Sequence, residues 1–131
     1  MYYFAYASNL NRKKMLERCP KNKPKFVATL PNHKLIFSGW SRKWHGGTAS
    51  IKPMTGEKVI GAVYEVTEGC LANLEKHEGL NYRQKPVIVF TEPGESVEAV
   101  TFIMREQSEE TKPTGEYLAI IQQGYRDWGI V

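Results

Sequence analysis

The chain has 131 residues, 41% of them hydrophobic and 24% charged, and a formal net charge of +4. This length and balance fit one domain, expected over residues 1–131, able to bury about two-thirds of its unfolded surface without staples. They argue against intrinsic disorder, and no apolar run approaches the ~18 residues of a membrane-spanning helix.

The opening "YYFAY" is aromatic-rich and reads as a strand over residues 2–6. "MYYFAYASNL" lacks the basic start, long apolar run and cleavage pattern of a signal peptide, so a cytoplasmic location is expected. "ASNLN" ends the strand, and a short polar helix is expected from Asn11 to Arg18, with Pro20 beyond it. Much of the positive excess sits in this "NRKKMLER" stretch and in "KNKPK". Both read as solvated basic faces, since no nucleic-acid-binding motif accompanies them. "KFVATL" and "HKLIFS" are expected as strands split by a "PN" turn. "GWSRKWHGG" reads as a loop, "TASIKP" as a short strand, "MTGE" as a turn and "VIGAVYEV" as a strong strand.

Thr67 is the expected N-cap of a helix through "CLANLEKHE", with Gly79 at the C-terminal cap. "RQKPVIVFT" and "VEAVTFIM" are strands around an "EPGES" hairpin connection, and "REQSEETKPTG" is a polar loop. The final helix, "EYLAIIQQGYRDW", carries Tyr117, Ile120, Ile121, Gly124 and Trp128 along one stripe. Strands dominate and helices are scattered, so the fold class is α+β, with a closed or half-closed mixed sheet. Cys19 and Cys70 stand in no metal or redox spacing; one bridge is admissible and no disulfide framework is indicated.

Three segments break local rules. In "YASNLN" a strand ends in small polar residues and opens a helix, where backbone amides and the dipole favour an anion. Ser8 and Asn9 add side-chain donors, although an ordinary helix cap reads the same way. Leu71, Leu74 and Glu78 share one helix face, which puts a carboxylate at the end whose dipole repels negative charge. Burial there would raise its pKa toward that of a general acid or base near neutrality; a frayed end with Glu78 in solvent is the alternative. Tyr117, taken by itself on that apolar stripe, reads as a core tyrosine. His33, His45 and His77 are dispersed, and no metal, phosphate-loop, dinucleotide or nucleophile-elbow pattern is present.

These segments align with a known family. "YFAYASNL" resembles the "YFAYGSNL" signature of the γ-glutamylcyclotransferases, and "WHGGTASI" resembles their "WHGG" segment. "GAVYEV" followed by "LANLEKHEG" resembles their strand and the helix ending in a catalytic "EG", and "PTGEYLAIIQQG" resembles their C-terminal helix. The order holds from residue 2 to about residue 129. The resemblance implies a small mixed β-barrel with a few flanking helices. It implies Glu78 as the general acid/base, and Tyr3, Phe4, Ala5, Tyr6, Ala7, Ser8, Asn9, Leu10 and Tyr117 as the substrate cradle. Ala7 stands where the family usually has Gly, which bears on substrate range.

The implied reaction is release of 5-oxoproline and a free amine from a γ-glutamyl amino acid or peptide, without metal or other cofactor. The implied partner is a small-molecule γ-glutamyl substrate, not nucleic acid or membrane, with a homodimer left open. Two alternatives remain: a cyclotransferase for γ-glutamylamines or γ-glutamyl intermediates, and a γ-glutamyl-binding module without turnover.

Overall fold

The computed structural model describes residues 1–106 and 109–130. Five strands, β1 (Tyr2–Ala5), β2 (Lys23–Ser41), β3 (Gly46–Glu65), β4 (Tyr82–Thr91) and β5 (Ser96–Met104), close into a barrel in the order β1-β3-β2-β4-β5. Closure leaves no sheet edge to template aggregation. Pairing is antiparallel except between β1 and β5, which run parallel at Tyr3 and Val100, so the sheet is mixed. The helices are α1 (Arg12–Arg18), α2 (Glu68–Glu78) and α3 (Gly115–Asp127), with a 3-10 turn at Ser8–Leu10 leading into α1. Among the described residues no helix is long and apolar enough to cross a membrane.

Alternation along β1 divides the core. Tyr3 and Ala5 join Met15, Leu71 and Leu74 of α1 and α2. Phe4 enters a second cluster, with Leu30, Val63, Val87, Val89 and Ala99, that draws on all five strands, as a closed barrel interior must. A disulfide joins Cys19, the C-cap of α1, to Cys70 in the first turn of α2. It ties together the two helices that end in Arg18 and Glu78.

The middle of the chain departs from the sequence reading. "KFVATL" and "HKLIFS" are one strand, and "PN" is a bulge in it rather than a turn. Pro31 pairs with Lys58 and His33 with Pro53, so residues 54–57 stand opposite Asn32 alone. Asn32 takes φ +58°, a left-handed position that Asn tolerates, and its Oδ1 accepts from the Gly56 amide at 3.1 Å. The expected "MTGE" turn is therefore the bulged-out side of a continuous β3. The "GWSRKWHGG" loop is also shorter than expected: β2 runs through Ser41 and β3 starts at Gly46, leaving residues 42–45 as the hairpin turn.

The capping logic of α2 holds. The Thr67 side chain accepts from the Cys70 amide, and Gly79 closes the helix with φ +92°. The polar loop after β5 is pinned where it is described. Gly39 donates to the Glu109 carbonyl, Thr111 to Phe37 and Gly47 to Lys112. A Cβ on Gly47 would meet the Thr111 carbonyl at 2.2 Å, so only glycine lets this segment lie so close.

Candidate active site

Glu78 ends α2 where two recesses meet. The smaller is a pit of about 20 Å³ bounded by Tyr3, Tyr6, Ala7, Ser8, Asn9, Ala49, Glu78, Phe102 and Tyr117. That is room for one water-sized group. The larger, of about 400 Å³, is lined by Arg18, Trp40, Arg42, Lys43, Trp44 and His77 among others, and shares Ser8, Glu78 and Tyr117 with the pit.

The pit is built by the strand-to-helix transition at β1. After Ala5 the chain turns through Ala7, and the 3-10 turn folds back with Leu10 and Asn11 amides donating to the Ala7 and Ser8 carbonyls. The amides of Ser8 and Asn9 open that turn and are not consumed by it. Asn9 is a hub. Its Nδ2 donates to Tyr3 Oη at 2.8 Å and, at the long distance of 3.5 Å, to Glu78 Oε1. Its Oδ1 accepts from the Arg18 guanidinium, which also donates to Ser8 Oγ at 3.2 Å. The Tyr64 hydroxyl donates to the Asn9 carbonyl at 2.8 Å, and the Trp128 indole to that of Leu10 at 3.0 Å. The α3 backbone closes on the same turn. A Cβ on Gly124 would lie 2.6 Å from both the Asn11 amide nitrogen and Leu10 Cβ, so this contact requires glycine.

Burial pushes the Glu78 carboxyl up to about 7, against the opposing pull of Arg18 and then Lys43. Desolvation, rather than the helix dipole, is the largest cause. Tyr117 packs edge-on to Phe37 and 5.0 Å from the Trp44 ring, and its oxygen accepts from the Ala49 amide at 3.0 Å. Burial raises its phenol to about 12 despite that bond, with Glu78 adding to the rise. Tyr3, Tyr6 and Tyr82 are raised too, chiefly by burial and, in part, by the Glu78 charge. These phenols stay protonated at neutral pH. Tyr6 donates to the Phe102 carbonyl and Tyr82 to that of Ala49. Among the described residues no three His, Cys, Asp or Glu side chains gather as metal ligands.

The structure brings Tyr3, Tyr6, Ala7, Ser8, Asn9, Glu78 and Tyr117 to one place, although Tyr117 lies more than a hundred positions from Ser8 in the chain. Phe4, Ala5 and Leu10 line neither recess. All three are fully buried in the cores, so they shape the loop from behind rather than face the cavity. Asn9 differs in a second way: both ends of its amide are engaged by protein groups. Ala7 has φ −137° and ψ −122°, neither right-handed nor extended, but its negative φ demands no left-handed backbone of an alanine.

Sequence reasoning missed Arg18, Arg42, Lys43 and Trp44. In the sequence Arg18 reads as part of a solvated basic face; in the fold it is the last residue of α1 and turns back onto the loop its helix follows. Its spacing from Ser8 was the available signal, since a seven-residue helix returns its end toward its start only through a long side chain. The Arg42-Lys43-Trp44 run carried no signal beyond its place before the "WHGG" glycines.

Comparisons with known proteins converge on one family. A family profile described as "Gamma-glutamyl cyclotransferase, AIG2-like" matches residues 3–124. Gamma-glutamylcyclotransferases of Bos taurus and Homo sapiens are each 32% identical over 98% of this chain and 71% of their own length. A solved gamma-glutamyl cyclotransferase superposes with a TM-score of 0.94 at 31% identity, covering 99% of this chain and 80% of its own. An AIG2-like protein from Mus musculus, 20% identical with a TM-score of 0.59 over 89% of this chain and 81% of its own, shares the fold alone. Because the match runs through the turn at residues 8–10, the helix ending at Glu78 and most of α3, the chain belongs to the gamma-glutamyl cyclotransferase, AIG2-like, family of enzymes.

Proposed function

We propose that this protein converts a γ-glutamyl amino acid or peptide to 5-oxoproline and the free amine, with Glu78 as the single general acid and base. The observation that carries the reading is the position of Glu78: half-buried, pushed up to about 7, and shared by a donor-rich pit and a larger recess. A carboxyl that titrates near neutrality can both take and return a proton.

In this reading the γ-glutamyl head sits toward the pit and the amine to be released lies in the larger recess. Unprotonated Glu78 takes a proton from the substrate α-ammonium. The freed amine attacks the γ-carbonyl of the same molecule, so nucleophile and electrophile are already held together. The carbonyl oxygen becomes an oxyanion, for which the Ser8 and Asn9 amides are available donors. Tyr117 spends an oxygen lone pair on the Ala49 amide, which leaves its hydroxyl proton to donate into the cavity. Glu78 then gives its proton to the departing nitrogen as the bond to the γ-carbon breaks. The lactam nitrogen, which still carries two hydrogens after the attack, gives up a second proton, again through Glu78, to the released amine, which leaves as an ammonium. Two protons thus pass from the α-ammonium to the departing nitrogen, and Glu78 ends unprotonated, as it began.

The test is incubation of the purified protein with a panel of γ-glutamyl compounds, followed by measurement of 5-oxoproline. Release from at least one γ-glutamyl amino acid or peptide is expected. Release only from γ-glutamylamines would assign the leaving group differently, and no release from any member would overturn the enzymatic reading.

A further inference from the structure

We propose that Arg42 and Lys43, on the turn between β2 and β3, form with Arg18 an anion subsite in the larger recess that selects leaving groups bearing two carboxylates. The proposal rests on the cyclotransferase reading and narrows its substrate class to γ-glutamyl compounds of acidic amino acids.

The cations come from two elements, α1 and the β2–β3 turn, and line one recess with Glu78. Among the described residues the ion pairs are Lys14–Glu17 and Lys23–Glu65, so no carboxylate stands at ion-pair distance from Arg18, Arg42 or Lys43, and Glu17 and Glu78 act on Lys43 only from farther off. Glu78 is the carboxyl group lining the recess, and at about 7 it is only partly charged near neutrality. The crowding has a cost: the Lys43 ammonium is held below its ordinary value by burial, then by Arg18 and Lys14. A bound anion would relieve that repulsion. Such a site favours the anion in proportion to the cations left unspent.

Two of the three are unspent. Arg18 already donates to Ser8 and Asn9, whereas Arg42 and Lys43 have no protein acceptor among the described residues. Lys43 is nevertheless positioned, since its Nζ lies 5.2 Å from the centre of the Trp44 ring, and that ring packs on Tyr117. The turn is thereby tied to the wall that faces Glu78. Every amino-acid leaving group brings one α-carboxylate. Two uncommitted cations suit that group and one more, on the side chain.

The test compares kcat/KM for γ-glutamylglutamate and γ-glutamylglutamine, whose leaving halves have the same shape and differ in one charge. The glutamate compound should be preferred by about tenfold at low salt, with the preference shrinking as salt screens it. In an Arg42→Gln/Lys43→Gln variant the two should come within about threefold, while Lys25→Gln, an exposed cation of β2 away from the recess, should keep the wild-type ratio. Equal kcat/KM in the wild type, or an unchanged ratio in the double variant, would overturn the subsite and leave the cyclotransferase reading standing. Absence of 5-oxoproline from either compound would strike the activity instead. Calorimetric titration of the same pair then decides the subsite: tighter binding of the glutamate compound, lost in the double variant, supports it, and equal affinity overturns it.

Discussion

The pit and the recess that share Glu78 are made of different material. Tyr3, Tyr6, Asn9 and Tyr117 around the pit are all less than a tenth exposed and hydrogen-bonded to other parts of the protein. Arg42 and Lys43 on the rim of the recess are exposed, and Trp40 is 65% exposed. The dry side holds donors fixed from behind by both cores. The wet side holds charge on long side chains that can follow a ligand. Desolvation on the first side sets the Glu78 proton affinity, and charge on the second partly restrains it. Chemistry that must be the same for every substrate suits the buried wall; adaptation to a departing group suits the exposed one.

The strongest way to break that comparison is Glu78→Gln. Turnover should fall by about two to four powers of ten while the fold is kept, measured as 5-oxoproline release alongside circular dichroism. In the wild type kcat/KM should rise with pH through about 7, because the base must be unprotonated, and this limb should vanish in the variant. Stability should move the other way. The folded state holds the Glu78 proton more tightly than the unfolded chain, so the stabilising contribution is complete below the ordinary carboxylate range and is lost as pH rises through about 7. At pH 8 the Gln variant should therefore be the more stable by about 1–3 kcal/mol, with the gap closing toward pH 5, as denaturant melts at both pH values would show.

Gly124→Ala probes how the pit is held. An exposed helical Gly-to-Ala change would stabilise by about 1 kcal/mol. Here the new methyl would collide with Leu10 and Asn11, and the variant should lose about 1–3 kcal/mol with a raised KM from a displaced turn. A gain in stability would show that α3 does not press on the turn. Tyr117→Phe removes the acceptor of a buried amide and should cost about 1–2 kcal/mol in urea melts, with kcat lowered more than binding. An unchanged kcat would remove its hydroxyl from the chemistry. The smallest effect is expected from Ala7→Gly. With φ already negative there is no left-handed strain to relieve, so added unfolded-chain entropy should lower stability by about 0.4–1 kcal/mol. A stabilised variant would mean that the Ala7 methyl is crowded after all.

Local rules made the buried wall partly legible. The Thr67 cap, the Gly79 stop and the face shared by Leu71, Leu74 and Glu78 depend on residues within one or two turns, and they appear as expected. The "EPGES" connection between β4 and β5 follows from turn chemistry in the same way. The long β2–β3 hairpin was harder to read. "PN" and "MTGE" carry strong turn residues, yet the ladder on either side overrides them and accepts a bulge. Strand pairing is a two-strand property, and no window on one strand reveals that its partner continues.

What the sequence determined by itself is the kind of element formed by most segments outside the β2–β3 hairpin, the carboxylate placed where a helix end would penalise it, and the ordered motifs that mark the family. Those are set by side-chain period, capping and chain order, all short-range or directly written. The tertiary structure decided the rest. It closed the sheet, turned Arg18 from an apparent surface charge into a clamp on Ser8 and Asn9, and brought Tyr117 and Ser8 to the same pit. It also raised the Glu78 pKa, because proton affinity depends on how much water the surrounding elements exclude, and that exclusion exists only once α2, the turn at residues 8–10 and the barrel mouth are packed together.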